Sequence, residues 1–129
     1  MRPPRSILYV EDDADIAEMY RIGLAGAGYG VTIAPGGLLG LELLRRGGFD
    51  LVLLDVMLPG GMDGIAVLEA IRADPELRNL PVAILSNSDL GRKHHERARQ
   101  LGILGWLTKS ASPPAVVARS LRRWLKQPA

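Results

Sequence analysis

Short apolar runs alternate with longer stretches of helical period along this chain, and the alternation repeats five times. Ile7-Leu8-Tyr9-Val10 is the first run. Ile16, Met19, Tyr20 and Leu24 then predict a helix from about Ala14 to Ala27, stopped by Gly28. Val31 to Ala34 reads as a second strand, and Leu38 to Arg46 as a second helix ending at Gly47-Gly48. Leu51-Val52-Leu53-Leu54 is a third strand, apolar throughout. Asp63 caps a helix running to about Ala73, with Ile65, Val67, Leu68 and Ile71 on its buried side. Pro81 to Leu85 is a fourth strand, and a polar helix follows from Leu90 to Leu101. Ile103 to Leu107 reads as a shorter fifth strand. The last helix starts at Pro113 or Pro114, where proline suits the first turn. Its apolar stripe is Val116, Val117, Leu121, Trp124 and Leu125.

Strands that are apolar on both sides belong in parallel sheets covered on both faces. Five such strand–helix units imply an α/β fold, a (βα)5 doubly wound parallel sheet between two helical layers. The 129 residues suit one domain, with a core from about 6 to 126, and are too few for an eightfold barrel. Hydrophobic residues at 47% and charged residues at 23% fit an ordinary globular chain. The absence of cysteine removes disulfide and thiolate chemistry. The basic start, Met1 to Arg5, lacks the apolar segment of a signal peptide. No run approaches the roughly 18 apolar residues of a membrane span, so the expected location is the cytoplasm. Met1 and the short tail Gln127-Pro128-Ala129 lean toward a stand-alone protein.

The net charge of +2 is mild but unevenly placed. Arg92, Lys93, Arg97 and Arg99 crowd the fourth helix, and Arg119, Arg122, Arg123 and Lys126 the fifth. Two solvated helix faces account for most of this pattern. No aromatic interleaving or DNA-reading motif accompanies it, so no direct nucleic-acid partner is expected.

Ligands of open parallel sheets bind beyond the carboxyl ends of the strands. Glu11, Asp12 and Asp13 follow strand one, Asp55 follows strand three, Ser86 follows strand four, and Lys109 follows strand five. Asp13 is read as the cap of the first helix. The other acids, the hydroxyl and the ammonium converge on one edge. Clustered carboxylates repel unless a cation neutralises them. Oxygen ligands without His or Cys favour Mg²⁺ (or Mn²⁺). A carboxylate can attack phosphorus to form an aspartyl phosphate, while a metal, Lys and hydroxyl stabilise the phosphoryl oxygens.

These segments resemble the response-regulator receiver family of two-component signalling. The resemblance runs from about Ser6 to Leu125. It is carried by Ile7 through Asp13, Asp50 through Pro59, Met62-Asp63-Gly64, Pro81 through Ser86, and Gly105-Trp106-Leu107-Thr108-Lys109. It implies the sheet order 2-1-3-4-5. It implies Asp55 as phosphoacceptor, Asp12 as a direct Mg²⁺ ligand, Glu11 as an acid acting through a metal-bound water, and the Met57 carbonyl as a further ligand. Ser86 and Lys109 would contact the phosphoryl group, and Trp106 would stand where the family has a switching Tyr or Phe. The implied donor is a sensor histidine kinase or histidine phosphotransfer protein. The implied output is an unknown protein meeting the face of helix four, strand five and helix five. Such a chain is no enzyme beyond its own phosphorylation and dephosphorylation.

Three departures stand out. Gly60-Gly61 adds a residue before Asp63-Gly64, Ser110 replaces the common Pro after Lys109, and Trp106 replaces the usual aromatic. Two rival readings remain beside the switch. A haloacid-dehalogenase hydrolase needs a second acid two residues after the nucleophile, where this chain has Met57. A phosphorylation-independent interaction module would keep the fold without the chemistry.

Overall fold

The computed structural model describes residues 5–87 and 92–125. Five strands, β1 (Arg5–Val10), β2 (Tyr29–Ala34), β3 (Leu51–Leu54), β4 (Val82–Ser86) and β5 (Trp106–Thr108), form one parallel sheet in the order β2-β1-β3-β4-β5. The helices are α1 (Ala14–Gly26), α2 (Gly37–Arg45), α3 (Gly64–Ala73), α4 (Arg92–Leu101) and α5 (Pro114–Trp124). A single 3-10 turn, Lys109–Ala111, joins β5 to α5 and was not foreseen.

The strand period of two divides the core. Ile7 and Tyr9 of β1 face α1 and α5, together with Leu51, Leu53, Ala83 and Leu85. Leu8 and Val10 face the other layer, where Val52, Leu54 and Ile84 meet Leu41, Leu44, Leu68 and Ile71 of α2 and α3. β1 and β3 lie inside the sheet, and apart from the half-buried Arg5 and Ser6 every one of their residues is buried. This is why their sequences are continuous apolar runs.

Two boundaries differ from the sequence expectation in ways that matter for the site. β5 does not span Ile103 to Leu107; it covers Trp106–Thr108. The earlier residues run alongside β4 without a regular ladder, held by Leu104 N–H to the Val82 carbonyl and Ile84 N–H to the Gly105 carbonyl. A Cβ at Gly105 would strike the Trp124 indole, so this approach to the edge strand is filled by an α5 side chain. Ser86 is the last residue of β4 and not the first beyond it. The expected start of the polar helix, Leu90, lies outside the described residues, as do the Arg92 side chain, Lys126, Met1 to Pro4 and the tail. No helix among the described residues is long and apolar enough to cross a membrane.

Candidate functional site

β1 and β3 are neighbours, so the residues that follow them arrive side by side. Asp55 N–H donates to the Val10 carbonyl at 3.1 Å, which continues the ladder into the site. Glu11 and Asp55 are 2% and 4% exposed, whereas Asp12 is open to solvent. One oxygen from each of these acids lies within 4.8 Å of the others. Such an all-oxygen set fits a hard divalent cation and matches no thiolate or imidazole metal site.

Asp13 lines the same cleft but is not part of this cluster. Its side chain accepts from the N–H groups of Asp15 and Ile16, both at 3.0 Å, and so caps α1 as expected. Asp63 caps α3 in the same way through Ala66 N–H. The α3 start is pressed onto the site: Gly64 N–H donates to the Val56 carbonyl at 2.8 Å, and a Cβ there would run into the Asp55 backbone carbonyl.

Lys109 opens the turn after β5 and reaches back across the strand ends. Its Nζ donates to Asp55 Oδ2 at 2.8 Å and closely to Glu11 Oε1. Burial disfavours its charge, but the contacts with both carboxylates outweigh this and raise its pKa above the ordinary value. Glu11 moves in the direction that burial dictates: its carboxyl is raised, with Lys109 and the Asp13 N–H opposing and the Asp55 charge adding to the rise. Asp55 Oδ1 accepts from Met57 N–H at 3.2 Å, and Met57 is 57% exposed. Ser86 is fully buried at the floor of the same cleft, which Asp12, Met57 and Asn87 also line.

Lys109→Met should therefore leave two buried carboxylates facing each other. The expected loss is about 3 kcal/mol of stability in metal-free buffer. Mg²⁺ should recover part of it, so that the metal raises the urea midpoint more in the variant than in the wild type. An unchanged midpoint in metal-free buffer would contradict the ion-pair account.

Two features were missed in the sequence. Tyr9 and Glu11 share one face of the β1 register, and the buried Tyr9 hydroxyl donates to Glu11 Oε1 at 3.0 Å. The period of two contained that signal. Burial first, and then the Glu11 charge, push the Tyr9 phenol upward, so it keeps its proton and acts as donor. Tyr20 of α1 meets Tyr9 edge-on at 6.0 Å and donates to the Ser112 carbonyl at 2.7 Å. It thereby ties α1 to the turn that carries Lys109. That tie depends on positions 92 apart and had no local signal. The Lys109–Ser110 peptide is trans, as are all peptides of the described residues.

Trp106 is half-buried and stacks on His95 of α4, with ring centroids 3.7 Å apart and planes 19° from parallel. Lys93, Arg97 and Arg99 of α4 and Arg119, Arg122 and Arg123 of α5 are exposed. Arg97 is engaged by Glu69 of α3 at 2.8 Å. Gly60 and Gly61, the extra-residue pair, both hold positive φ at 84° and 79°, conformations that glycine adopts without strain.

The sequence profile of the response regulator receiver domain matches residues 7–120. The transcriptional regulatory protein RstA of Escherichia coli K12 is 35% identical over 122 residues, covering 95% of this chain and 48% of that protein. The chain spans about half or less of the length of such transcriptional regulators. Among solved structures, the BeF3-activated N-terminal receiver domain of Klebsiella pneumoniae RstA is similar at a TM-score of 0.82 and 31% identity, over 95% of this chain and 100% of that one. The Mn²⁺-bound form of the response regulator Rcp1 is similar at a TM-score of 0.80 and 26% identity, over 98% of each chain.

Proposed function

The chain belongs to the response regulator receiver domain family, and from that premise we propose that it is a signalling switch phosphorylated on Asp55. The supporting observation is the convergence of Lys109, Glu11 and Asp55 at the ends of β5, β1 and β3. The donor is a phosphohistidine on a sensor histidine kinase or histidine phosphotransfer protein. An Asp55 carboxylate oxygen bonds to phosphorus as the phosphorus–nitrogen bond breaks, and the imidazole nitrogen takes up a proton.

A divalent cation, Mg²⁺ or Mn²⁺, would supply charge neutralisation for the phosphoryl oxygens when bound. Asp12, Asp55, Glu11 and the Met57 carbonyl are the groups that would hold it. The resemblance to a Mn²⁺-bound relative supports this choice. Asp55 is fixed by its backbone contact to β1 and by the Met57 N–H, which limits the geometries its carboxylate samples. Lys109, already beside Asp55, exchanges a carboxylate for a phosphoryl oxygen. Ser86 offers a hydroxyl from the end of β4.

A new charge at Asp55 biases the chain between two arrangements only if these groups contact it differently in each. The α4–β5–α5 face, with Trp106 on His95 and the exposed arginines, is the surface assigned to an output partner.

The test is exposure to a small phosphodonor with Mg²⁺, read by intact mass and by peptide mapping. One added phosphoryl group on the peptide holding Asp55 is expected, and chelation should prevent it. Unmodified protein under conditions that phosphorylate a control receiver would refute the proposal and favour an interaction module independent of phosphorylation.

A further inference from the structure

We infer that Tyr9 is a positioning residue for the cation site, acting through Glu11. The inference rests on the reading of Glu11, Asp12 and Asp55 as that site. Its starting point is how the two Glu11 oxygens are occupied. Oε1 accepts from both Tyr9 Oη and Lys109 Nζ. Oε2 accepts from Asp13 N–H at 3.1 Å. A carboxylate oxygen has two lone-pair directions. Tyr9 and Lys109 use both directions on Oε1, while one on Oε2 remains beyond the Asp13 contact. The Glu11 oxygen left with a lone-pair direction for a cation is therefore Oε2.

Tyr9 is suited to set this orientation. Its ring is fully buried and held edge-on by Tyr20, whose own hydroxyl is fixed to the Ser112 carbonyl. The hydroxyl therefore approaches Glu11 from a fixed direction, beneath the strand end. Lys109 cannot fill that role alone, because its ammonium is shared with Asp55 and sits on a flexible stem. Glutamate also has more side-chain torsions than aspartate, so its carboxylate needs an anchor to face one way. Partners that orient a ligand from behind commonly change metal affinity by 10–100-fold, at roughly the cost of one hydrogen bond in stability.

The experiment is calorimetric titration of Mn²⁺ into wild type, Tyr9→Phe, Glu11→Ala and the double variant, with thermal melts of each. Phenylalanine keeps the buried ring and removes only the donor. Tyr9→Phe is expected to weaken Mn²⁺ binding about tenfold. The same change made on Glu11→Ala should have no further effect, because the route through Glu11 is gone. Three outcomes would overturn the inference. Equal affinity in wild type and Tyr9→Phe, with only the melting point lowered, would make the hydroxyl a structural contact. An undiminished loss in the Glu11→Ala background would route the effect elsewhere. A wild type that binds no Mn²⁺ would remove the cation reading itself. Mass gain from a phosphodonor is scored separately, so a failure of the positioning role remains distinguishable from a failure of phosphorylation.

Discussion

Asp55→Asn is expected to take up no phosphoryl group while keeping the fold. The amide matches the carboxylate in shape, and its oxygen can still accept from Met57 N–H in place of Oδ1; the amide nitrogen then replaces Oδ2 and loses the Lys109 contact, while Glu11 still holds the ammonium. The backbone bond from Asp55 N–H to the Val10 carbonyl is untouched. What disappears is the anionic oxygen that would attack phosphorus, since an amide oxygen is a poor nucleophile. One carboxylate of the cation cluster disappears with it. Both changes act on the same step, so the loss should be complete by intact mass. Circular dichroism should match wild type. Uptake at the wild-type rate would move the acceptor to another side chain.

Gly64→Ala should slow the same reaction without removing any reacting atom. The added Cβ would overlap the Asp55 carbonyl oxygen and lie 2.7 Å from Val56 Cα and 2.9 Å from Asp55 C. All three are backbone atoms and have no rotamer to relieve the clash. Either α3 lifts away, breaking Gly64 N–H from the Val56 carbonyl, or the Asp55–Val56 peptide shifts. In both cases the acceptor moves. A displacement near 1 Å at a reacting group can cost on the order of a hundredfold in rate, and overpacking costs about 1–3 kcal/mol of stability. Gly26→Ala is the matched control, because its Cβ would meet nothing within 4 Å. The rates of phosphoryl uptake decide the matter: equal rates for Gly64→Ala and Gly26→Ala would separate the α3 start from the acceptor's position.

The elements most legible in the sequence are those whose burial is uniform. Leu51 to Leu54 is buried at every residue, and the run and the strand coincide. Asp13 and Asp63 announced their helices because an acid before a helical stripe satisfies free N–H groups there. β5 was misplaced because Ile103 and Leu104 are apolar for packing while the regular ladder starts later, at Trp106. Hydrophobicity reports burial and not pairing, so an edge strand of three residues leaves a weak trace. The convergence of Glu11, Asp12, Asp55, Ser86 and Lys109 followed from strand ends alone. Their detailed contacts did not. The Tyr20 hydroxyl and the Trp106–His95 stack depend on how α1 and α4 lie on the sheet, a tertiary property with no short-range pattern.

The reach of Lys109 has a consequence for the order in which the chain acquires its structure. Glu11 and Lys109 are 98 positions apart, and the ammonium arrives only when the last strand docks on β4. Closing a contact of such separation costs more loop entropy than closing a local one. A chain with β1 paired to β3 and β5 still undocked would bring Glu11 and Asp55 together without Lys109 between them. Docking of β5 would relieve that repulsion by bringing the Lys109 ammonium onto both carboxylates, so the pair of acids would favour the complete fold over the partial one.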